Sequence, residues 1–375
     1  MDIDRVINHL RSGKATRRDI NRALAAVGLG TFTLGVLSRP GHADDGVPMY
    51  FTWGGNPYEE FFAGYAEAYG SLPDLSFFGD EDEAYAKMTG GFEPDVVDPC
   101  SYEIRRWYDA GLIAEIQTDR LTNYPDVIPS LKQVKDAQID GKTMWVATDW
   151  GITSVVYRAD LAPEYVGNES WSILWDEKYK GKLSNDNSVI DGFSTGAMYL
   201  GLDPFNLNEE EIAQVRDALV AQRDLLLYYG PSRTDFTQAM ASGELVAGTG
   251  WSSTVLELRE QGLDVRMMDP KEGVMTWVCG ICRHASNDGR GEEMVEKAHA
   301  IIDAVISPEV GYYYIIDHGS GYSNMKSFEM VSDEELAERS LPRDPEQMLS
   351  RGIFQNAMSH MDQIANLWEE IKAGY

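Results

Sequence analysis

The order of strand-like and helix-like segments constrains the fold of this chain more than any other feature. Residues 49–53 are strand-like, and 56–59 have the features of a helix start: a capping asparagine, a proline at the first helical position and a glutamate three residues after the cap. Short apolar strands at 75–78 and 95–97 follow, with a helix expected over 101–110. Strands that alternate with helices predict an α/β fold whose parallel sheet is covered on both faces.

A second series of the same kind follows Trp150. Its expected elements are helices at 191–200, 209–219, near 234–241 and after Ser252, and strands at 225–229 and 245–249. Residues 145–157 and 275–282 are strand-like and are expected to cross between two lobes. Without its first 43 residues the chain has 332 residues, more than one core usually holds, so we expect two domains.

The N-terminal residues have the features of an export signal. Paired arginines at 17–18 precede a weakly apolar, glycine-rich run at 23–37, and the small residues that flank a histidine at 41–43 suit a signal peptidase. We therefore expect 1–43 to be a twin-arginine signal peptide and the mature chain to begin at Asp44. Because no cysteine beside the cleavage site can carry a lipid, we expect a soluble periplasmic protein and not a lipoprotein.

Composition excludes several classes of partner. The formal net charge is −29, and because the first 43 residues carry seven bases and three acids, residues 44–375 hold −33. Such a charge excludes nucleic acid and anionic membranes as main partners. No apolar run after residue 43 approaches membrane-spanning length. The three cysteines are an odd number, which excludes a disulfide scaffold.

Aromatic residues follow the predicted strands at the edge where α/β sheets bind ligands. Trp53, residues 100–102 and Trp251 come directly after strands, and Trp277 lies in a predicted crossover. Each ring taken alone is more often a packing residue. Together they predict a cleft lined with rings, which suits a cation or a sugar.

Two short motifs offer competing chemistry. Residues 192–196 match the G-x-S-x-G nucleophile elbow with Ser194 as nucleophile, but the preceding strand is polar and no histidine has a triad context, so a helix start capped by Asp191 is the preferred interpretation. Cys279 and Cys282 have C-x-x-C spacing; a structural or cleft-lining role is preferred to metal or redox work because a second ligand pair is missing. No nucleotide-binding or catalytic-metal motif is present, so we expect no cofactor.

Several segments, in this order and spacing, resemble the periplasmic spermidine/putrescine-binding proteins, which are solute receptors of ABC importers in extracellular solute-binding family 1. The segments are 49–53, 84–88, 95–97 with Pro99 and Tyr102, 110–113, 121–124, 150–153, 170–171 with 174–175, 179–183, and 270–273 before Trp277. The resemblance implies a non-enzymatic protein of two α/β lobes joined by crossover strands, with ligand in the cleft between them. We expect lobe 1 to comprise 44–153 plus 278–329, and lobe 2 to comprise 154–277 plus 330–375.

The resemblance also implies a set of ligand-contacting residues. Six positions keep the family's residue type: Trp53, Tyr102, Trp251, Trp277, Tyr322 and Gln355. Asp191 stands where the family has a carboxylate that pairs with an amine, and Ser101 is expected to orient the ligand. Four positions depart from the family: Asn56 replaces a tyrosine, Cys100 a serine, and Ser188 and Cys279 acidic residues.

The leading hypothesis is a periplasmic receptor for a small organic cation of polyamine type, which acts as a monomer with an ABC permease and its ATPase. Because a buried charge needs a partner, the loss of two carboxylates leaves open a quaternary ammonium compound or an amino-acid derivative as ligand, or compensation by Asp186. A secreted serine hydrolase that uses Ser194 is the rival of another class. Whether Cys100 and Cys279 form a pair or hold a metal also stays open.

Overall fold

The computed structural model describes residues 46–54, 56, 58–79, 81–230, 233–350 and 352–374. The predicted signal peptide, its cleavage site and the proline of the predicted helix start lie outside these residues. Within the described ranges no helix combines the length and the apolar character needed to cross a membrane.

The described strands form one large mixed sheet and a separate hairpin of β5 and β6. The strands are β1 Met49–Trp53, β2 Asp74–Phe78, β3 Val96–Val97, β4 Ile113–Ala114, β5 Gln138–Ile139, β6 Lys142–Thr143, β7 Val146–Arg158, β8 Leu183–Asp186, β9 Leu226–Gly230, β10 Ala247–Trp251, β11 Val265–Met267, β12 Met275–His284, β13 Gly321–Tyr322 and β14 Ile353–Phe354.

Helices connect these strands. The α-helices are α1 Tyr58–Phe61, α2 Ala63–Tyr69, α3 Glu81–Thr89, α4 Ile104–Asp109, α5 Ser194–Leu200, α6 Glu209–Arg223, α7 Arg233–Ser242, α8 Ser252–Glu260, α9 Glu292–Val305, α10 Pro308–Tyr313, α11 Met325–Glu329, α12 Asp333–Glu338, α13 Pro345–Leu349 and α14 Met361–Ala373. Two π-helical turns, Val189–Phe193 and Tyr314–His318, precede α5 and β13, and a 3-10 turn, Ser101–Glu103, precedes α4. The expected helices at 101–110 and 191–200 are thus each composed of two helical types.

The sheet consists of two parallel halves joined by antiparallel strands. Its order is β2-β1-β3-β12-β7-β10-β8-β9; β1 pairs in parallel with β2 and β3, and β8 with β9 and β10. We refer to the half with β1 to β4 as lobe 1 and to the half with β8 to β11 as lobe 2. The long strands β7 and β12 pair antiparallel along both halves. The crossover prediction is confirmed, whereas the sheet expected to be parallel is mixed because the crossover strands run against their neighbours.

Buried apolar side chains follow the same division. In the described residues, membership changes from the lobe 1 cluster to a lobe 2 cluster between Trp150 and Val155 on β7, and in the reverse direction between Met275 and Val278 on β12. The segment assigned to lobe 2 from residue 330 differs from expectation. Four of its side chains pack in the lobe 1 cluster: Val331, Leu336, Leu341 and Leu349. The last crossing to lobe 2 therefore comes after 349, where β14 pairs with the start of β12.

The start of the first helix also differs from expectation. Asn56 was predicted to cap it, but the Asn56 side-chain nitrogen donates hydrogen bonds to the hydroxyls of Tyr58 (3.0 Å) and Tyr314 (2.9 Å). The helical segment divides at Phe62 between α1 and α2, and the rings of Phe62 and Tyr65 are buried there. Asn56 thus connects α1 to the π-helical turn 314–318.

Candidate functional site

A cavity of about 790 Å³ lies at the crossover strands and is lined by residues from both lobes. Its lining comprises Cys100, Tyr102, Asp149, Asp191, Trp251, Ser252, Leu256, Glu257, Glu260, Trp277, Cys279, Asp317, His318, Ser320 and Gln355. Five of these residues are acidic and three are tyrosine or tryptophan. Among the lining residues that the structure describes, none is lysine or arginine. The cavity therefore has the electrostatic character of a site for a positively charged ligand.

Strand register places the two tryptophans on one face of the sheet. Trp251, the last residue of β10, is opposite Thr153 of β7, and Trp277 of β12 is opposite Gly151. Residues two apart on a strand share a face, so both rings project to the same side, one on each flank of β7. Asp149, two residues before Gly151, also lines this face.

Gly151 determines where the Trp277 ring lies. A Cβ atom at residue 151 would be 2.3 Å from Cζ2 and 2.5 Å from Cε2 of Trp277, closer than nonbonded carbon atoms approach. The indole is therefore packed directly on the backbone of β7. Its Nε1 is buried and has no hydrogen-bond partner in the described part of the chain. The ring thus forms a wall of the cavity, and the wall can lie in this position only because residue 151 is a glycine without a side chain.

Asp191 is the predicted carboxylate and it lines the cavity. Gln355 Nε2 donates to Asp191 Oδ1 at 2.7 Å, and the Ser188 hydroxyl accepts from the Asp191 amide at 3.1 Å. Burial, reinforced by the nearby charge of Asp186, raises the pKa of Asp191 to about 7. A bound cation would favour the charged carboxylate and reverse this shift.

Asp149 is a second inner carboxylate that the sequence interpretation missed. Thr148 Oγ1 donates to Asp149 Oδ1 at 2.9 Å, and burial raises the pKa of Asp149 to about 6. The available signal was an acidic residue on an otherwise buried strand, two positions from the glycine that faces a tryptophan. Ser188 and Cys279 stand where the resembling family has acidic residues, so less negative charge was expected in the cavity. Asp149 supplies a negative charge there that this expectation did not include.

Cys100 and Cys279 form a disulfide in the cavity wall. The two residues form an isolated antiparallel bridge with Cα atoms 3.7 Å apart, which joins the end of lobe 1 strand β3 to β12. Cys282 is a free thiol buried on the opposite side of β12, where burial raises its pKa. Cys279 thus takes part in a disulfide that lines the cavity, which is the structural and cleft-lining role preferred for it, and Cys282 is not its partner.

Glu81 supports the same wall from behind. This buried carboxylate accepts hydrogen bonds from the Cys100 amide (2.5 Å) and from the Tyr102 hydroxyl, and burial raises the pKa of Glu81 to about 7. The Tyr102 ring, which lines the cavity, is thereby fixed at its hydroxyl end.

Five of the predicted ligand residues do not line the cavity: Trp53, Asn56, Ser101, Ser188 and Tyr322. Tyr322 is fully buried in lobe 1, and its hydroxyl donates to the main-chain oxygen of Val305 at 2.5 Å. This hydroxyl is therefore not available to a ligand. Trp53 packs against lobe 1, where its Nε1 donates to the main-chain oxygen of Asp98 at 3.2 Å.

Two of these five residues hold others in place. The buried Ser101 hydroxyl donates to the main-chain oxygen of Gln355 at 2.5 Å. Ser188 caps the π-helical turn that carries Asp191, a role that had been expected of Asp191 itself. Both therefore position residues of the cavity from outside it.

Several lining residues were not predicted: Asp149, Ser252, Leu256, Glu257, Glu260, Asp317, His318 and Ser320. Three of these residues could have been predicted from the sequence: Ser252, Leu256 and Glu260 recur every four residues, so they share one face of the helix that follows Trp251. The segment 317–320 had none, because it reaches the cavity only through the packing of the π-helical turn.

The alternative sites receive no geometric support. Ser194 is fully buried at the start of α5, so it is not presented at a surface as an elbow nucleophile must be. Within the described residues, no three or more His, Cys, Asp or Glu side chains come together as a metal site.

Comparisons with known proteins agree with this architecture. The model of the family described as bacterial extracellular solute-binding protein matches residues 80–336. The spermidine/putrescine-binding periplasmic protein of Escherichia coli is 23% identical over 353 residues, which cover 92% of this chain and 97% of that protein. The putrescine/agmatine-binding protein of Pseudomonas aeruginosa is 24% identical over 295 residues, covering 74% of this chain and 76% of that protein.

A solved structure shows the same fold. The spermidine/putrescine ABC transporter substrate-binding protein of Streptococcus pneumoniae superposes with a TM-score of 0.73 at 17% identity, covering 87% of this chain and 98% of that chain. This similarity confirms the expected two-lobed α/β fold.

Proposed function

The chain belongs to the bacterial extracellular solute-binding proteins, and we propose that it is the receptor of an ABC importer whose ligand is a small organic cation of polyamine type. One observation carries the proposal: five acidic side chains line a cavity in which no described lining residue is a lysine or an arginine. The names of the Escherichia coli and Pseudomonas aeruginosa relatives support the same ligand class.

Rings and carboxylates have separate tasks in such a site. The faces of Trp251 and Trp277 would stack on a methylene chain and attract its ammonium groups, which contributes about 0.5–2 kcal/mol per ring. Asp191 and Asp149 would pair with the amine nitrogens that enter the inner cavity. Pairing with carboxylates is required because the free-energy cost of removing an unpaired charge from water exceeds the stabilisation that the rings contribute.

Ligand binding would act through the strands that join the lobes. Because β7 and β12 run through both lobes, a bend in these strands changes the opening of the cleft without unfolding either half of the sheet. A cation that contacts both lobes favours the closed form, and the importer's permease would recognise that form. We place the mature protein in the periplasm as a non-enzymatic monomer that requires no cofactor and is exported as a twin-arginine precursor without a lipid anchor.

The test is calorimetric titration of the purified protein with putrescine, spermidine, choline, glycine betaine and lysine. We expect the multiply charged amines to bind most tightly, and Asp191→Asn to weaken them by about tenfold because one charge pair is lost. Glu370→Gln is the matched control, since it removes one charge from an exposed position on α14. Preference for choline or glycine betaine over both polyamines would refute the polyamine class and favour the quaternary ammonium alternative.

The hydrolase alternative has its own test. Ser194→Ala should leave amine affinity unchanged, because this buried side chain does not line the cavity. Turnover of an ester substrate by the wild-type protein, lost in Ser194→Ala, would contradict the receptor proposal.

A further inference from the structure

The carboxylates of the cavity fall into an inner and an outer group. Asp149 and Asp191 are the inner group: both side chains are half-buried, and their desolvation raises their pKa values. Glu257, Glu260 and Asp317 also line the cavity and form the outer group: Glu260 and Asp317 are exposed, so these two lie at the rim, and half-buried Glu257 is three residues before Glu260 on α8. A ligand that neutralises both groups must extend from the depth of the cavity to its rim.

The outer group is assembled from both lobes. Glu257 and Glu260 are in α8, which begins directly after Trp251 in lobe 2, whereas Asp317 is in the π-helical turn that precedes lobe 1 strand β13. The two segments touch, because the Ser252 hydroxyl at the start of α8 donates to the main-chain oxygen of Gly319 at 2.9 Å. Acidic side chains from two lobes thus line the cavity where these two segments meet.

The guanidinium group of Arg339, which contacts this turn, is committed elsewhere. Arg339 donates to the main-chain oxygens of Ile316 (2.9 Å) and Glu335 (2.9 Å), so its hydrogen bonds hold the turn in place. Among the described residues, no lysine or arginine forms an ion pair with Glu260 or Asp317. The negative charges of Glu260 and Asp317 therefore have no permanent counter-ion in the described part of the protein.

Ser320 gives independent evidence for a ligand at this place. Its side chain lines the cavity beside Asp317 but is only 7% exposed, and its Oγ has no hydrogen-bond partner within the described residues. A buried hydroxyl without a partner costs about 1–3 kcal/mol, so such groups in folded proteins are normally satisfied. An ammonium N–H donor placed between the rim acids would satisfy this oxygen.

We propose that Glu260, Asp317 and Ser320, with Glu257 beside them, form an outer subsite for the second charged end of an elongated polyamine. The inference rests on the proposed function and specifies its ligand: one amine end pairs with Asp191 and Asp149, the methylene chain passes the tryptophans, and the other end reaches the rim. The cavity volume of about 790 Å³ accommodates a triamine of the spermidine class. Because the rim acids come from two lobes, the outer amine also offsets their mutual repulsion when the cleft closes.

The test compares spermidine with its two monoacetyl derivatives, each of which lacks one terminal charge but keeps the chain length. Calorimetry on the purified full chain gives the Kd of each ligand for wild type, for the double variant Glu260→Gln/Asp317→Asn and for Ser320→Ala. We expect the double variant to weaken spermidine about tenfold, since each exposed charge contributes a few-fold. Ser320→Ala should weaken it about fivefold through the lost hydrogen bond to a charged group. The tighter-binding monoacetyl derivative should change less than about twofold in either variant, because its charged end occupies the inner group.

Controls separate a subsite from a general field effect. Glu370→Gln removes one acidic charge from an exposed position that does not line the cavity. The thermal midpoints of this control and of the rim variants should equal the wild-type value within about 2 °C. Equal losses for spermidine and its acetylated forms, or unchanged spermidine affinity in both variants, would overturn the outer subsite and leave the receptor proposal intact. A wild-type protein that binds no amine at all would overturn both.

Discussion

Replacing Gly151 by alanine tests how the cavity wall is built. The added Cβ would lie 2.3 Å from Cζ2, 2.5 Å from Cε2 and 2.7 Å from Nε1 of Trp277. Ordinary contact between carbon atoms is about 3.5–4.0 Å, so the indole must move by more than about 1 Å. Its rotation into the cavity would remove the stacking face and reduce the space for the ligand.

The expected cost has two parts. Overpacking destabilises the fold by about 1–3 kcal/mol, and loss of one ring face weakens cation binding by about 1.4 kcal/mol, which is tenfold in Kd. Calorimetric titration with spermidine gives the second quantity, and chemical unfolding gives the first. Gly64→Ala is the matched control: nothing lies within 4 Å of a Cβ at this exposed position of α2, so spermidine affinity should not change.

A double-mutant cycle decides whether the effect passes through the ring. In a Trp277→Ala background the added methyl group of Gly151→Ala meets no indole, so its cost to affinity should disappear. Wild-type affinity in Gly151→Ala, or an equal loss with and without the indole, would refute the account of Trp277 as a wall of the ligand site.

The disulfide and the buried acids give further predictions. The Cys100–Cys279 disulfide closes a loop with a sequence separation of 179, so its reduction should destabilise the protein by about 2–5 kcal/mol in denaturant unfolding. In the control Cys282→Ala, oxidised and reduced protein should differ in stability by the same amount. Thiol titration of the native oxidised protein should detect no rapidly reactive group, and two reactive thiols would contradict the pairing. The folded-state pKa values of Asp149 and Asp191, about 6 and about 7, are above their unfolded values, so the folded ligand-free protein binds more protons and these groups should lower its stability as pH rises from about 4 to 7. Amine affinity should increase over pH 5–8 as both acids ionise, with proton release that decreases in Asp191→Asn; affinity independent of pH would contradict their role.

The parts of the site that the sequence predicted are those with local signals. Trp251 and Trp277 were found because aromatic residues after or within predicted strands face the ligand edge of an α/β sheet. Asp191 and Gln355 followed from the family resemblance, and they meet in the structure through a hydrogen bond of 2.7 Å. Similarly, the strand-like character of 145–157 and 275–282 identified both crossover strands.

The features that were missed or left open depend on contacts between distant segments. Pairing of Cys100 with Cys279 joins residues 179 apart, and no local pattern gives that register. Tyr322 matched a ligand position by residue type, but its hydroxyl is used by a main-chain oxygen inside lobe 1. Asp317 and Ser320 enter the cavity because Ser252 of α8 binds the turn between them, a contact visible only in three dimensions.

The proposed function requires that this cavity select positive charge. The most direct measurement is calorimetric titration of the purified wild-type protein with spermidine and, in parallel, with a neutral sugar of similar size, since a ring-lined cleft suits either class. We expect micromolar binding of spermidine that weakens as salt concentration rises, and no heat from the sugar. Tight binding of the sugar, or no binding of spermidine at low salt, would contradict it.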